Sequence, residues 1–199
     1  MKNTLQKGSF GYLNKLKVHE WLKALLYLSI PIAVYIAVLL INGEQITIIT
    51  VMVLVGCIPG CNQTVHAILA TRYHSIDRTL YEEVEEAKGE RLAVYEYVFT
   101  TYEKNYYIDS IIISGSELAG YSSDAKLDTV AAAEHLTKIL RQNSYKQNVK
   151  IITDRKAFLS RARDLAQRMP EEVPFRGDDR YPGLSREEVI REVLNSISL

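Results

Sequence analysis

Only two cysteines, one tryptophan and five prolines occur in 199 residues. Cys57 and Cys61 stand four apart, with no second pair, so neither a disulfide framework nor a paired C-x2-C zinc pattern is present. No charge sign dominates, since Lys+Arg and Asp+Glu number 24 each. A dedicated nucleic-acid binder normally carries a basic excess, so no nucleic-acid partner is expected. Walker A, G-x-G-x-x-G, G-x-S-x-G and H-E-x-x-H motifs are also missing. Their absence removes the P-loop, dinucleotide-binding, serine-hydrolase and zincin readings. No cofactor and no metal set is assigned.

Apolar runs, in contrast, are plentiful and unevenly placed. The mean hydropathy of −0.07 averages two unlike regions. Long apolar runs lie before residue 70, and nearly all acids lie after it. Ala24 to Ile41, ALLYLSIPIAVYIAVLLI, carries no charge. About 18 to 20 such residues cross a ~30 Å hydrocarbon core at 1.5 Å each. Pro31 is compatible with a spanning helix. No small-x-small cleavage site follows, and a second run begins almost at once, which argues against a cleaved signal. That run covers Ile46 to Leu69, with a kink or break expected near Pro59. Asn42 to Gln45 makes a tight hairpin loop between the two.

Lys2, Lys7, Lys15, Lys17 and Lys23 precede the first span, and Arg72 and Arg78 follow the second. The hairpin loop has no Lys or Arg, so both termini are expected in the cytoplasm. Trp21, Tyr12 and Tyr73 suit interfacial anchors. In the second span Cys57 pairs by spacing with Cys61, and Asn62 with His66. Polar groups at membrane depth are candidates for a metal, proton or ligand site. Helix packing through Gly56, Gly60 and Cys61 is the stronger reading.

The region after residue 75 reads as a small α+β domain. A helix capped by Ser75 or Asp77 runs to Lys88. β-Formers follow from Arg91 to Thr101, from Tyr106 to Ser114 and from Glu117 to Ser122, an antiparallel meander. A helix continuing through 90–104 is the alternative. Asp128 or Thr129 starts a helix to Gln142, Val149 to Thr153 is a strand, and Asp154 caps a helix ended by Met169-Pro170. Ser185-Arg186-Glu187-Glu188 is a capping box opening an amphipathic helix. Docking on its own domain is favoured over docking on a partner or the membrane. The expected organisation is a basic cytoplasmic arm (1–23), a transmembrane hairpin (24–72, spans 24–41 and 46–69), an α+β domain (75–169), and a linker with C-terminal helix (170–199).

Candidate chemistry is sparse. Asp109, Asp124, Lys126 and Asp154 could form a nuclease-like acid/lysine set, although loose spacing of this kind arises by chance. Glu82, Glu83, Glu85 and Glu86 read as a solvated helix face, and Asp178-Asp179 as solvated tail acids. Gly115 to Gly120 reads as a hairpin turn, and His135 as a surface histidine.

GYLNKLK at 11–17, YVFTTYEKNYYIDSIIISGSELAGYSSDAKLDT at 97–129 and NVKIITDRKAFLSR at 148–161, together with the two spans, resemble a family of small two-span membrane proteins of clostridial Firmicutes. The resemblance covers roughly residues 8 to 165 and implies a bacterial membrane protein. Some members carry a GlcNAc-transferase label. No residue set here supports that chemistry, and no site residue is carried over.

Three functional expectations follow. The first is a membrane-anchored cytosolic module binding a protein or small ligand, more consistent with a non-enzyme. The second is a tethered enzyme acting on nucleotides, sugars or nucleic acid through Asp109, Asp124, Lys126 and Asp154. The third is a ligand-gated two-span effector. The lipid bilayer, a protein partner and a homo-oligomer are the partners considered.

Overall fold

A computed structural model describes residues 6–42, 47–101, 104–168, 173–175 and 177–199. The expected hairpin loop from Gly43 onward and the Met169-Pro170 stop lie outside the described residues. The chain divides into two compact units. One is Leu13–His74, and the other joins Ser75–Leu199 to the segment ending at Tyr12.

The first unit holds α1 (Tyr12–Asn42), α2 (Thr47–Gly56) and α3 (Ile58–Thr71). Two helical stretches, Tyr12–Ile41 and Ile48–Thr71, are long and apolar enough to cross a membrane. Their large side chains stand exposed, Leu40 and Ile41 at 81% each. An apolar surface this continuous suits lipid or another apolar partner. Pro31 lies inside an unbroken α1. The second stretch divides at Cys57, with Pro59 in the first turn of α3. Pro59 has no N–H to continue the ladder.

Small residues let α1 and α3 approach. A Cβ on Gly60 would come within 2.6 Å of Leu28 Cδ2 and 3.3 Å of its backbone nitrogen. Trp21 Nε1 donates to Thr71 Oγ1 at 3.1 Å, and Gln63 Nε2 donates to Glu20 Oε2. Gly60→Leu is therefore expected to part these helices. Thiol labelling of half-buried Cys57 in a Cys61→Ser background should then speed up several-fold. An unchanged labelling rate would refute the close approach.

The second unit is an α+β domain. Its elements are α4 (Arg78–Lys88), β1 (Leu92–Thr100), β2 (Asn105–Ser114), β3 (Glu117–Tyr121), α5 (Thr129–Gln142), β4 (Asn148–Ile152), α6 (Arg155–Gln167) and α7 (Arg186–Ile197). The sheet order is β1-β2-β3-β4. The first three strands form the expected antiparallel meander, and residues 92–100 are strand rather than helix. β4 joins parallel to β3, so the sheet is mixed. A parallel neighbour needs a crossover, which α5 supplies.

Each sheet face buries its own apolar cluster. Leu136 and Leu140 of α5 and Val189, Ile190, Val193 and Leu194 of α7 cover one face. Leu80 and Val84 of α4 and Phe158, Ala162 and Leu165 of α6 cover the other. Thus α7 docks on its own domain. The segment before α1 also belongs to this unit. Tyr95 N donates to Gly8 O at 2.9 Å, and Phe10 stacks on Tyr81 at 4.5 Å. Lys7 Nζ donates to the carbonyls of Asn195 and Ser198 at 3.2 and 2.8 Å. Gly8 adopts φ +77°, and a Cβ there would lie 2.7 Å from Tyr97 Oη. Only glycine fits both constraints.

Strand alternation breaks at one place. Val94 and Tyr97 face the same cluster, as do Ile108 and Ile111, which strict period-two alternation forbids. Glu96 sits between, at φ +60°. The register pairs Tyr95 with Ser110 and Tyr97 with Ile108, which sets Glu96 opposite Asp109. Both carboxylates are buried there, at 1% and 3% exposure.

Candidate functional site

The expected acid/lysine set separates into different roles. Asp109 lies on β2, where Oδ2 accepts from Ser123 N at 2.5 Å and Oδ1 from Ser123 Oγ at 3.1 Å. Desolvation raises its pKa above the ordinary 3.8, outweighing the bonds from Ser123 and Tyr107. Asp124 Oδ1 accepts from Lys126 N at 2.9 Å, a local turn bond, and the Lys126 side chain is exposed. Asp154 caps α6 by accepting from Lys156 N at 3.1 Å. Among the described residues, no group of three or more His, Cys, Asp or Glu is placed to hold a metal ion.

The raised Asp109 pKa has a definite sign. A folded-state value above the unfolded one favours folding while the acid is protonated. That stabilisation is complete below the unfolded pKa and fades as pH rises through the folded one. Asp109→Asn keeps the size without the charge. The Tm of the parent minus that of the variant should fall as pH rises from about 4 to about 7. A constant difference across that window would show that Asp109 titrates normally.

Glu96 was not singled out from the sequence. Its Oε1 accepts from Gly11 N at 2.8 Å and Ile76 N at 3.3 Å, and its Oε2 accepts from Ser75 Oγ at 2.9 Å. It therefore ties together the two segments of this unit that flank Leu13–His74 in sequence. Its geometry is that of a structural clamp.

Other candidates are also engaged in structure. Glu82, Glu83 and Glu85 pair with Arg78, Arg155 and Lys88 at 2.8, 2.9 and 3.4 Å. Asp178 accepts from Tyr145 Oη at 2.7 Å and pairs with Arg180 at 2.8 Å. These bonds hold Asp178 well below the usual carboxylate range. Burial and the same bond push Tyr145 up to about 12. The Gly115 turn is tied to α7, its N–H donating to Glu187 Oε1 at 2.9 Å and its carbonyl accepting from Arg186. His135 is half-buried, 6.0 Å from the Tyr106 ring centroid. In the unit Leu13–His74, Cys57 is half-buried, while Cys61, Asn62 and His66 are exposed.

An open feature lies elsewhere, along the free edge of β4. A groove of about 1030 Å³ runs between α5 and β4. Val130, Ala133, Thr137 and Val149 supply much of its lining. A second hollow of about 730 Å³ adjoins it through Thr137, Arg141 and Val149. Val130 is 66% exposed, the one exposed large apolar side chain of this domain among the described residues. Lys138, Arg141 and Lys150 line the groove, and Lys146 lines the adjoining hollow. Glu134 is the single acid in either lining. Gln147, 5% exposed, also lines the hollow, and its Oε1 has no partner among the described residues.

Sequence reasoning missed this site because it depends on which strand ends the sheet. The apolar spacing of α5 counts Val130 with Leu136 and Leu140, whereas Val130 stands exposed. Neither a family model, nor a curated protein, nor a solved structure matches the chain.

Proposed function

We propose that the protein is a membrane-anchored binding module whose α+β domain captures a protein partner along the edge of β4. In this reading Tyr12–Ile41 and Ile48–Thr71 span the inner membrane of a bacterial cell. The Lys/Arg distribution favours both termini, and the domain, on the cytoplasmic side. Anchoring raises the domain's effective concentration toward other membrane-bound proteins. The observation that carries the reading is the open groove beside an unpaired sheet edge, where the exposed Val130 sits. The acids first suspected of chemistry support it indirectly, since Asp124 and Asp154 are engaged in turn and cap bonds.

Photo-crosslinking in the source cell's own membranes tests this. A crosslinkable residue at position 130 of the full chain should give a discrete protein adduct. The same group at exposed Arg163 on α6 should not. Absence of an adduct at 130, or identical adducts from both positions, would overturn the reading. So would turnover of nucleotides or sugar nucleotides by the purified full chain.

A further inference from the structure

This inference rests on the binding-module reading and specifies its partner. We infer that the edge of β4 receives an acidic segment in extended conformation, added as a fifth strand. Three observations converge on that occupant.

The first is backbone geometry. Asn148 N donates to Ser116 O at 2.8 Å, and Ile152 O accepts from Ser122 N at 3.1 Å. Asn148, Lys150 and Ile152 therefore aim their backbone groups at β3. By period-two alternation, Val149 and Ile151 aim theirs at the open edge. Among the described residues no strand pairs on that side. An extended peptide satisfies such a row of donors and acceptors.

The second is the floor. Val130, Ala133 and Val149 line the groove, and alternate apolar side chains of an added strand would cover them. β4 has five residues, about 16 Å at 3.3 Å each, which sets the segment's length at about five residues.

The third is charge. Lys138, Arg141, Lys146 and Lys150 are exposed around the groove and its adjoining hollow. None of them joins an ion pair among the described residues. Pairing with a second copy would set these cations against their like, which is unfavourable across strands. A nucleic acid would meet the charge but not the edge. The groove lining has no aromatic ring to stack a base, and stacking is what single-strand binders rely on.

Binding is measured by fluorescence anisotropy on the full chain in phosphatidylcholine nanodiscs. The probe is a labelled, end-capped hexapeptide alternating Glu and Val. It should bind saturably, and a Lys-Val counterpart should bind at least about tenfold more weakly. The double variant Arg141→Glu with Lys150→Glu should weaken the acidic probe by a similar factor at unchanged Tm. N-methylation along one edge of the probe should abolish binding, while the same number of methyl groups along the other edge should not. Equal binding of both peptides, indifference to the double variant, or indifference to methylation would overturn the inference. Tighter binding of oligo-dT would assign the groove to nucleic acid instead. Variant-sensitive dimerisation without peptide binding would assign it to a second copy. Should the adduct from position 130 persist in the double variant, the binding module stands and the acidic-strand inference fails.

Discussion

Glu96→Ala is expected to destabilise the α+β domain by about 3 kcal/mol or more. The carboxylate is 1% exposed and takes hydrogen bonds from Gly11 N, Ser75 Oγ and Ile76 N. Bonds to a charged group contribute about 1.5–3 kcal/mol each, and buried donors left unpaired add their own desolvation cost. Alanine also keeps the left-handed backbone of residue 96, at φ +60°. Glycine relieves that strain, so Glu96→Gly should be milder than Glu96→Ala by about 1 kcal/mol. Urea unfolding of the full chain in detergent measures both. Hydrogen exchange should rise in peptides covering 6–12 and 75–81 before it rises in β2. If the alanine variant kept the parent's midpoint and exchange pattern, Glu96 would not be a clamp.

The second large effect is at α7. Val189, Ile190, Val193 and Leu194 are at most 2% exposed and share a cluster with Val94, Tyr97 and Phe99 of β1. Burying each such side chain is worth roughly 1.5–3 kcal/mol. The four together approach the roughly 5–15 kcal/mol that holds a typical domain folded. Removal of residues 186–199 should therefore leave the domain unfolded and aggregating. Ile190→Ala should cost about 3 kcal/mol as a cavity is left. Circular dichroism and thermal melting of full-length variants decide this. A shortened protein that still melts cooperatively near the parent's temperature would show α7 to be dispensable.

How much of this could be read from the chain follows from the range of each determinant. Elements set by local chemistry were legible. Asp128 and Asp154 cap α5 and α6 through side-chain bonds, and Ser185 with Glu188 forms the expected capping box. The apolar spacing marked Leu136 and Leu140 of α5 and Val189, Val193 and Leu194 of α7 as buried, and failed at Val130. The two apolar helices and the break near Pro59 were legible for the same reason.

Determinants that depend on distant partners were not. Nothing local marks Glu96 as a left-handed residue within a strand, because Ile76 N and Gly11 N reach it from 20 and 85 positions away. The segment from Lys7 to Phe10 looked like part of a basic arm. Its role appears only when α7 and β1 are present to receive it. The hydrogen-bond partners of Asp109 were not legible either. Its partners Ser123 and Tyr107 act on it through the pairing of β2 with β3 and the turn that follows β3, which no local spacing marks. The groove was invisible until sheet order made β4 an edge.

The contacts of Lys7 set the order of events during synthesis. Its ammonium is bonded to the carbonyl of Ser198, 191 positions later. The meander is made before α7, so one of its faces must wait uncovered until α7 has left the ribosome. Contacts that distant close slowly, and a waiting apolar face is prone to wrong associations. Biogenesis of this protein should therefore depend on holding chaperones, and on synthesis running through α7 without a long pause.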